Sequence, residues 1–306
     1  MDGLVVPADV PDDQRGRYLR NMKNATCDTG RMNLFACDQK IEHLNDDFHG
    51  EGIPEGSNDP HHFFKVGKIA HDAGHLGVLA GQLGLIASYA PDYPEIPYLV
   101  KLNSKTNLVK TSQSDPVSLA LDDVSSAVLL ADSGVNVVGI GYTIYLGSEH
   151  EAAMLTEASR AIREAHKNGL IAVLWIYPRG KAVADEKDPQ LISGAAGVAC
   201  CLGADFTKVN QPDSFEDMNQ FESLGVAVEA AGRTGVICSG GSSKPVEKFL
   251  EDLWNQVNVA GCRGAATGRN IHQKILDEAV RMCAACHAII CSEASVKDAL
   301  AIFHGK

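Results

Sequence analysis

Lys208 is the residue of this sequence whose type and setting best suit covalent chemistry. It lies in the segment GADFTKVNQ, which predicts a strand of a buried sheet. Burial lowers the pKa of an ammonium group, and the neutral amine is the form that attacks a carbonyl carbon. The segment therefore predicts a lysine able to form a Schiff base. The alternative is a lysine whose charge merely reaches the mouth of the strand.

Trp175 and Tyr177 stand two positions apart in VLWIYPRG. Residues i and i+2 of a strand share one face, and this strand directly precedes the one that carries Lys208. A phenol is therefore expected beside the amine. A tyrosine hydroxyl can donate and accept a proton, which suits the steps of an imine intermediate. Core filling is the alternative interpretation of both aromatic residues.

Asp38 ends the apolar run NLFACD, which predicts the first strand. In a closed ring the first strand neighbours the eighth, so this carboxylate is expected at the same mouth as Lys208. A carboxylate there can orient the lysine or bind a substrate hydroxyl. The alternative is a loop aspartate that caps the next segment.

Glycine-rich turns follow the last two predicted strands, as SGG at Ser239, Gly240 and Gly241 and as TGRN around Gly268 and Arg269. In α/β barrels the loops after strands seven and eight often bind phosphate. Glycines allow backbone N–H groups to approach an anion, and an arginine adds a fork of donors. The pair of turns predicts a phosphate site, with ordinary turn glycines as the alternative.

These residues need a scaffold that brings strand ends together, and the order of elements supplies one. Short β-rich runs alternate with helical stretches, which predicts βαβ units and a single α/β (β/α)8 TIM barrel. Its active site lies at the C-terminal ends of the strands. An open doubly wound sheet is the structural alternative. The predicted strands are Asn33–Cys37, Gly77–Gly81, Tyr98–Leu102, Val135–Gly141, Ile171–Tyr177, Asp205–Val209, Val236–Ser239 and Gly264–Gly268.

The flanking segments divide the chain into an N-terminal extension, 1–32, and a catalytic barrel, 33–306. The extension contains a polar helical stretch, Asp12–Asn24, expected to cap the barrel bottom or an interface. Residues 46–62 lack periodicity and predict an insertion or mobile lid above the first strand. The clearest predicted barrel helices are Glu149–Asn168, Pro189–Leu202, Phe215–Ala231, Lys244–Val257 and Ile271–Ile290.

Composition limits the classes of function. With 306 residues and 45% hydrophobic side chains, the chain can form one domain with a full core. Its formal net charge of −12 disfavours nonspecific binding to nucleic acid or to an anionic membrane. The N-terminus lacks the pattern of a signal peptide, and nine cysteines lie largely in apolar runs. We therefore expect a cytoplasmic enzyme without disulfides.

Two further motifs suggest other chemistry. Cys283, Cys286 and His287 spell the C-x-x-C-H pattern of covalent haem attachment, but they lie in a helical run whose expected role is packing. Histidines also gather at the first loop, at His43, His49, His61 and His62. They lack partners at ligand spacing, so no metal site is predicted.

Taken together, these motifs resemble those of the class I fructose-bisphosphate aldolases of the archaeal and bacterial type, a group of deoxyribose-phosphate aldolase-like barrels. The resemblance covers about residues 20–290. The segments that carry it are DQKIEH at Asp38–His43, PYLVKLN at Pro97–Asn103, TIYLGSE at Thr143–Glu149, VLWIYPRG at Val173–Gly180, GADFTKVN at Gly203–Asn210, SGG at Ser239–Gly241 and TGRN at Thr267–Asn270.

The resemblance implies that Lys208 is the Schiff-base lysine, Tyr177 the proton donor and acceptor, and Trp175 a wall beside the intermediate. It implies that Asp38 is an active-site carboxylate and that no metal is needed. The phosphate donors implied are Ser239, Gly240, Gly241, Gly268 and Arg269, with His43 for the distal phosphate.

The resemblance also implies a large homo-oligomer acting on a phosphorylated sugar. The chain departs from the pattern at Lys40, where the family usually has glycine. This lysine can alter the first loop or add a phosphate contact, so the substrate is less well defined than the reaction.

Several functions remain open at this level. The leading hypothesis is reversible cleavage of fructose 1,6-bisphosphate to dihydroxyacetone phosphate and glyceraldehyde 3-phosphate. A related Schiff-base enzyme resembling aminodeoxyheptulosonate synthases, or one that processes signalling-sugar phosphates, is the first alternative. A metal-dependent aldolase and a catalytically silent sugar-phosphate sensor are the others. Assays across sugar phosphates, activity in a chelator and turnover itself separate these hypotheses.

Overall fold

The computed structural model describes residues 5–108 and 115–306 of the chain. Within them, eight parallel strands follow one another in sequence order around a closed ring, which confirms the predicted (β/α)8 barrel. The eighth strand pairs with the first, with Leu34 opposite Ala266. The strands are β1 (Met32–Ala36), β2 (Val78–Gln82), β3 (Tyr98–Lys101), β4 (Val137–Leu146), β5 (Ile171–Pro178), β6 (Phe206–Val209), β7 (Gly235–Ser239) and β8 (Gly264–Thr267).

The strands agree with the prediction to within a few residues at most boundaries. The exception is β4, which continues five residues beyond the predicted end at Gly141 because its ladder with β5 runs on to Leu146 opposite Pro178. The extra residues, YTIYL, are mostly β-branched or aromatic, which favours a continued strand. This extension carries Thr143 and Tyr145 to the C-terminal mouth of the barrel.

Helices cover the outside of the barrel. The predicted helix Pro189–Leu202 has those bounds, because Asp188 caps its first turn and Gly203 ends it in the left-handed conformation. The helices are α1 (Arg15–Ala25), α2 (Gln39–Glu42), α3 (His61–Asp72), α4 (Leu83–Tyr89), α5 (Val124–Asp132), α6 (Glu151–Lys167), α7 (Pro189–Leu202), α8 (Gln220–Ala231), α9 (Val246–Asn258), α10 (Arg269–His272), α11 (Leu276–Ser292) and α12 (Val296–Phe303).

Two predicted helices differ from the structure. The one expected from Phe215 begins at Gln220, because Asn219 and Glu222 form a reciprocal capping box that defines the start. The one expected over Ile271–Ile290 is divided into α10 and α11, with Ile275 in extended conformation between them. None of the helices in the described part of the chain is long and apolar enough to cross a bilayer.

Helix α1 packs against the bottom of the barrel, the first of the two positions expected for this polar helical stretch. Tyr18 and Met22 of α1 join the apolar cluster that fills the barrel interior. The side-chain amide of Asn21 donates to the carbonyl of Gly169 at 2.7 Å. Burying this face of α1 at the N-terminal ends of the strands leaves the opposite end for chemistry.

Residues 46–62 form the expected insertion after β1. They include the short 3-10 helix Glu55–Asn58, and Phe48 is fully buried. The Phe48 ring stacks on His272 with 4.6 Å between ring centroids. The insertion is thereby anchored to the strand-eight side of the barrel mouth.

Candidate active site

Lys208 lies on β6 inside the barrel, with only 5% of its surface exposed. It is opposite Trp175 on β5 and Ile237 on β7. Burial lowers the pKa of its ammonium group, although the negative charges of Asp38 and Glu42 act in the opposite direction. The predicted setting of a desolvated amine is therefore present.

Trp175 lies near two buried lysines. Its ring centroid lies 5.4 Å from Nζ of Lys208 and 5.0 Å from Nζ of Lys101 on β3. A side chain at Gly141 would place its Cβ 2.6 Å from the indole and 3.0 Å from the Lys101 stem, so glycine is required for this approach. The indole ring therefore lies close to both amines.

Lys101 is itself fixed by polar contacts. Its Nζ donates to Oγ1 of Thr143 at 2.5 Å and to the carbonyl of Asn103 at 3.2 Å. Burial lowers the pKa of Lys101 as well, opposed by the charges of Asp38 and Glu42. Two buried lysines with lowered pKa values thus lie near the same indole ring, and Lys101 is the one already held by hydrogen bonds.

Tyr177 lies on the same face of β5 as Trp175, as their spacing predicts. Its ring centroid is 6.5 Å from that of Tyr145 on β4, and the Arg179 guanidinium lies 5.8 Å from both rings. Burial raises the pKa of Tyr177 well above its ordinary value, and the charges of Asp38 and Glu42 raise it further. The phenol therefore keeps its proton until a positive charge develops nearby.

Asp38 follows β1 at the N-cap position of α2, yet its side chain makes no capping hydrogen bond. The residue is 6% exposed, and its buried Oδ1 has no hydrogen-bond partner among the described residues. A buried carboxylate oxygen without a partner is costly unless a ligand or a charge satisfies it. This geometry favours a role in the site over the capping alternative.

The predicted phosphate loops meet at the ends of β7 and β8. Ser239 Oγ donates to Oδ1 of Asn210 at 3.0 Å, and the Gly240 N–H donates to the carbonyl of Ala266 at 3.0 Å. The amide of Gly240 is thus already occupied within the protein. Gly241 has a φ of 66°, a left-handed turn that bends the chain back toward α10.

Arg269 begins α10 directly after Gly268. Its Nε donates to the Gly241 carbonyl at 3.1 Å, and Nη1 lies 3.5 Å from Oδ2 of Asp47. A side chain at Gly268 would place its Cβ 2.1 Å from Oε1 of Gln39, so the loops after β1 and β8 touch only because this residue is glycine. The arginine is the charged donor of this loop pair.

His43 contacts the same acidic residue from the other side. Its Nδ1 lies 2.7 Å from Oδ2 of Asp47. Burial opposes ionisation of Asp47, but the contact with His43 and the charge of Arg269 outweigh it and lower the pKa of this carboxyl. His43 and Arg269 are therefore brought together across Asp47, a residue for which the sequence suggested no role.

Lys40, the departure from the family pattern, binds the insertion. Its Nζ donates to the carbonyl and side-chain oxygens of Asn58 at 2.9 and 2.8 Å, and it lies 4.3 Å from the centroid of the Phe48 ring. The first of the two expectations for Lys40, an altered first loop, is the one that these contacts support.

The alternative motifs have structural explanations. Cys283 and Cys286 are buried on α11, where they pack in the core between the barrel and its helices. Nε2 of His61 lies 2.7 Å from the hydroxyl of Tyr93. Among residues 5–108 and 115–306, no group of three or more His, Cys, Asp or Glu side chains is arranged to hold a metal ion.

Some site residues were not identified from the sequence. Glu42 accepts a hydrogen bond of 3.0 Å from the Tyr145 hydroxyl, although 103 positions separate the two residues. Thr143 lies opposite Trp175 on the neighbouring strand, and Tyr145 lies opposite Tyr177. The segments DQKIEH and TIYLGSE contain these residues, and continuing the β4 prediction to Leu146 would have placed Tyr145 beside Tyr177.

Comparison with known proteins places the chain among aldolases. Residues 32–274 match the model of the DeoC/LacD family aldolases. A protein of Methanocaldococcus jannaschii named fructose-bisphosphate aldolase/6-deoxy-5-ketofructose 1-phosphate synthase is 55% identical over 98% of this chain and 94% of its own length.

Two solved structures are similar over most of the chain. A fructose-bisphosphate aldolase from Slackia heliotrinireducens is 57% identical, with a TM-score of 0.96 over 99% of this chain and 95% of that one. An archaeal fructose-1,6-bisphosphate aldolase, with its catalytic lysine bound to the carbinolamine intermediate, is 31% identical. Its TM-score is 0.74 over 89% of this chain and 99% of that one.

Proposed function

Because the chain belongs to the DeoC/LacD family of aldolases, we propose that it is a class I fructose-bisphosphate aldolase. It reversibly cleaves fructose 1,6-bisphosphate to dihydroxyacetone phosphate and glyceraldehyde 3-phosphate through an imine on Lys208. The observation that carries the proposal is the buried amine of Lys208, whose pKa burial lowers, with the charge of Asp38 acting on both Lys208 and Tyr177.

The first steps follow from the protonation states. The neutral amine of Lys208 attacks the C2 carbonyl of the open-chain sugar, and the carbinolamine loses water to give a protonated imine. Asp38 provides a negative charge for this cation, which satisfies the carboxylate oxygen that otherwise lacks a partner. Trp175 confines the intermediate on the side toward Lys101.

Tyr177 performs the proton transfers. It first gives its proton to the departing hydroxyl of the carbinolamine, and the phenolate so formed takes the proton of the C4 hydroxyl as the C3–C4 bond breaks. The electrons of that bond pass to the imine to form an enamine. The positive imine offsets the burial that keeps the phenol protonated in the free protein. After the aldehyde leaves, Tyr177 returns the proton to C3, and hydrolysis releases dihydroxyacetone phosphate.

Binding of the two phosphates is assigned to the loops at the mouth. Ser239, Gly241, Gly268 and Arg269, with the turn at Gly240, surround one phosphate, and Arg269 supplies the charge. His43 contributes to the distal phosphate. The reaction needs no metal cofactor, because the imine serves as the electron sink.

The experiment that tests this function is reduction with borohydride in the presence of dihydroxyacetone phosphate, followed by peptide mapping. We expect a covalent adduct on the peptide that contains Lys208 and unchanged cleavage of fructose 1,6-bisphosphate in a chelator. An adduct on Lys101, or activity that disappears in the chelator, would contradict the proposal.

A second activity is favoured by the double name of the M. jannaschii relative. The six carbons of 6-deoxy-5-ketofructose 1-phosphate correspond to three from dihydroxyacetone phosphate and three from 2-oxopropanal. Dihydroxyacetone phosphate held on Lys208 would form the carbon–carbon bond to 2-oxopropanal, an aldehyde that lacks the second phosphate. Mixing the enzyme with dihydroxyacetone phosphate and either aldehyde separates the activities: condensation with glyceraldehyde 3-phosphate alone would restrict the protein to the first.

We also propose a cytoplasmic homo-oligomer. Large apolar side chains are exposed around the loop after β3 and on α5, with Leu108 at 77%, Leu121 at 57% and Leu129 at 72% exposure, as expected of an interface. Light scattering after gel filtration would give the mass, and a monomer would contradict the assembly.

The cysteines support the cytoplasmic location. All nine are free thiols, as in a reducing compartment.

A further inference from the structure

A second cavity lies at the end of the barrel opposite the catalytic mouth. Its volume is about 650 Å³, and it is bordered by α1 and by the segments that lead into β1, β6, β7 and β8. Charged residues line it at four of these strand starts: Arg31, Asp205, Arg233 and Arg263. Ligand cavities of proteins commonly have volumes of about 300–1,000 Å³, so the space suits a metabolite.

The charge of this cavity is positive although the chain carries a net −12. Its lining has three arginines and one carboxylate, Asp205. That carboxylate is already compensated, because Nε2 of His166 lies 3.2 Å from one oxygen and the Tyr18 hydroxyl donates to the other at 2.5 Å. The positive charge of the arginines is therefore not cancelled within the lining.

Most of the donors on these arginines remain available. Arg263 donates from Nε and Nη2 to the Gly30 carbonyl at 3.2 and 3.0 Å and from Nη1 to the Arg233 carbonyl at 3.4 Å. Arg31 donates from Nη1 to the carbonyl of Ile290 at 3.2 Å. The side chain of Arg233 makes no hydrogen bond or ion pair within the described residues. Since each guanidinium has five N–H groups, several donors can reach an anion.

The arginines differ in how firmly the protein holds them, so that one offers a fixed contact to a ligand and another can move to meet it. Arg263 is held by Gly30 and stacks on Phe206, with 5.1 Å from its guanidinium carbon to the ring centroid. Arg233 is exposed and can move to meet a ligand. Apolar residues of the N-terminal segment, Val5 and Pro7, form another wall that can contact an uncharged portion.

We propose that this cavity binds an organic phosphate with several negative charges, either a nucleotide or a sugar bisphosphate. Guanidinium groups match phosphoryl oxygens in pairs, and three of them around one space favour more than one phosphoryl group. Binding is independent of the chemistry at Lys208. It joins the segments before β1, β7 and β8, so it stabilises the folded state by linkage.

The test is calorimetric titration of the full chain with ATP and, separately, with fructose 1,6-bisphosphate at constant ionic strength. Arg269→Ala serves as the host, because it weakens anion binding at the catalytic mouth. In this host, Arg233→Glu removes no side-chain contact of the described structure and reverses the charge of the cavity. Arg163→Glu, on the exposed face of α6, is the matched control.

We expect at least one of the two compounds to bind the Arg269→Ala host. Arg233→Glu should weaken this affinity at least roughly tenfold, whereas Arg163→Glu should leave it unchanged. If ATP binds more tightly, the ligand class is a nucleotide; if fructose 1,6-bisphosphate binds more tightly, it is a sugar bisphosphate. Absence of binding by both compounds, or equal affinity in Arg233→Glu and the control, would overturn the proposal. Cleavage of fructose 1,6-bisphosphate by Arg233→Glu, measured in the wild-type background, tests the catalytic assignment separately from binding in this cavity.

Discussion

Ionisable groups are buried at both ends of the barrel, but the two ends differ in whether these groups have partners within the protein. At the bottom, Nδ1 of His166 lies 2.9 Å from Asp9 and Nε2 lies 3.2 Å from Asp205. At the mouth, Asp38 Oδ1 and Trp175 Nε1 have no hydrogen-bond partner among the described residues. The buried His166 and Asp205 at the bottom thus have partners within the protein, whereas buried Asp38 and Trp175 atoms at the mouth have none.

The pKa values express the same difference. Burial of His166 favours the neutral ring, but hydrogen bonds and charges from Asp205 and Asp9 outweigh it and raise its pKa from 6.5 to about 9. Burial of Lys208 is not outweighed, and its pKa is lowered. A compensated buried charge contributes to stability, whereas an uncompensated one retains reactivity. The two ends should therefore respond differently to mutation.

The largest expected effect is at Lys208. Lys208→Ala and Lys208→Met should reduce cleavage of fructose 1,6-bisphosphate by at least about 10⁴-fold and abolish borohydride trapping, because neither offers an amine. The thermal midpoint of Lys208→Met should be unchanged or higher, since a desolvated ammonium group is removed. Lys40→Ala is the control and should still be trapped. Normal cleavage by Lys208→Ala would disprove the assignment.

Tyr177→Phe comes next. It keeps the ring and removes the hydroxyl, so kcat should fall by roughly 10²–10⁴-fold while borohydride still traps the imine. Tyr145→Phe, which removes only the hydrogen bond to Glu42, should lower kcat much less. Single-turnover measurements separate imine formation from bond cleavage. Equal kcat values for the two variants would remove Tyr177 from the proton transfer.

His166→Gln tests the bottom of the barrel. Because the folded-state pKa of His166 is raised, its stabilisation is fully present below the ordinary value of 6.5 and is lost as the pH rises through about 9. The variant should lose about 3 kcal/mol of unfolding free energy near pH 6, and the difference should shrink toward about pH 10.

Urea unfolding of His166→Gln at several pH values provides this measurement. His49→Gln, at an exposed position of the insertion, is the control. The kcat of folded His166→Gln should match that of the wild type. A stability difference that grows with pH would refute the charged state of the imidazole.

Arg269→Ala should mainly raise KM. A charge-assisted fork to a phosphate is worth about 1.5–3 kcal/mol, which corresponds to roughly a tenfold to hundredfold change. Arg233→Ala, at the opposite end of the barrel, should leave KM for fructose 1,6-bisphosphate unchanged. Steady-state kinetics of both variants decides the matter, and an unaltered KM for Arg269→Ala would exclude it from phosphate binding.

Lys40→Ala should have the smallest effect. It removes the hydrogen bonds to Asn58, so the free energy of unfolding should fall by about 0.5–1.5 kcal/mol. Because these bonds hold the insertion and do not contact Lys208, kcat should be nearly constant. A KM that rises as much as in Arg269→Ala would instead give Lys40 a phosphate contact.

Local patterns were sufficient for the barrel and for the elements that carry the proposed catalytic residues. The strand that carries Lys208 was predicted as Asp205–Val209 and found as Phe206–Val209, and the face shared by Trp175 and Tyr177 follows from their spacing. Such features depend on neighbours in sequence. The role of Lys40 stayed open until its contact with Asn58, 18 positions away, was visible.

The sequence by itself determined the alternation of strands and helices, the residue types at the strand ends and hence the class of chemistry. Only the tertiary structure decided which polar groups are satisfied. Glu42 meets Tyr145 across 103 positions, and His166 meets Asp9 across 157. Charge state depends on burial and on such distant partners, so it arises only when the closed ring brings the strands together.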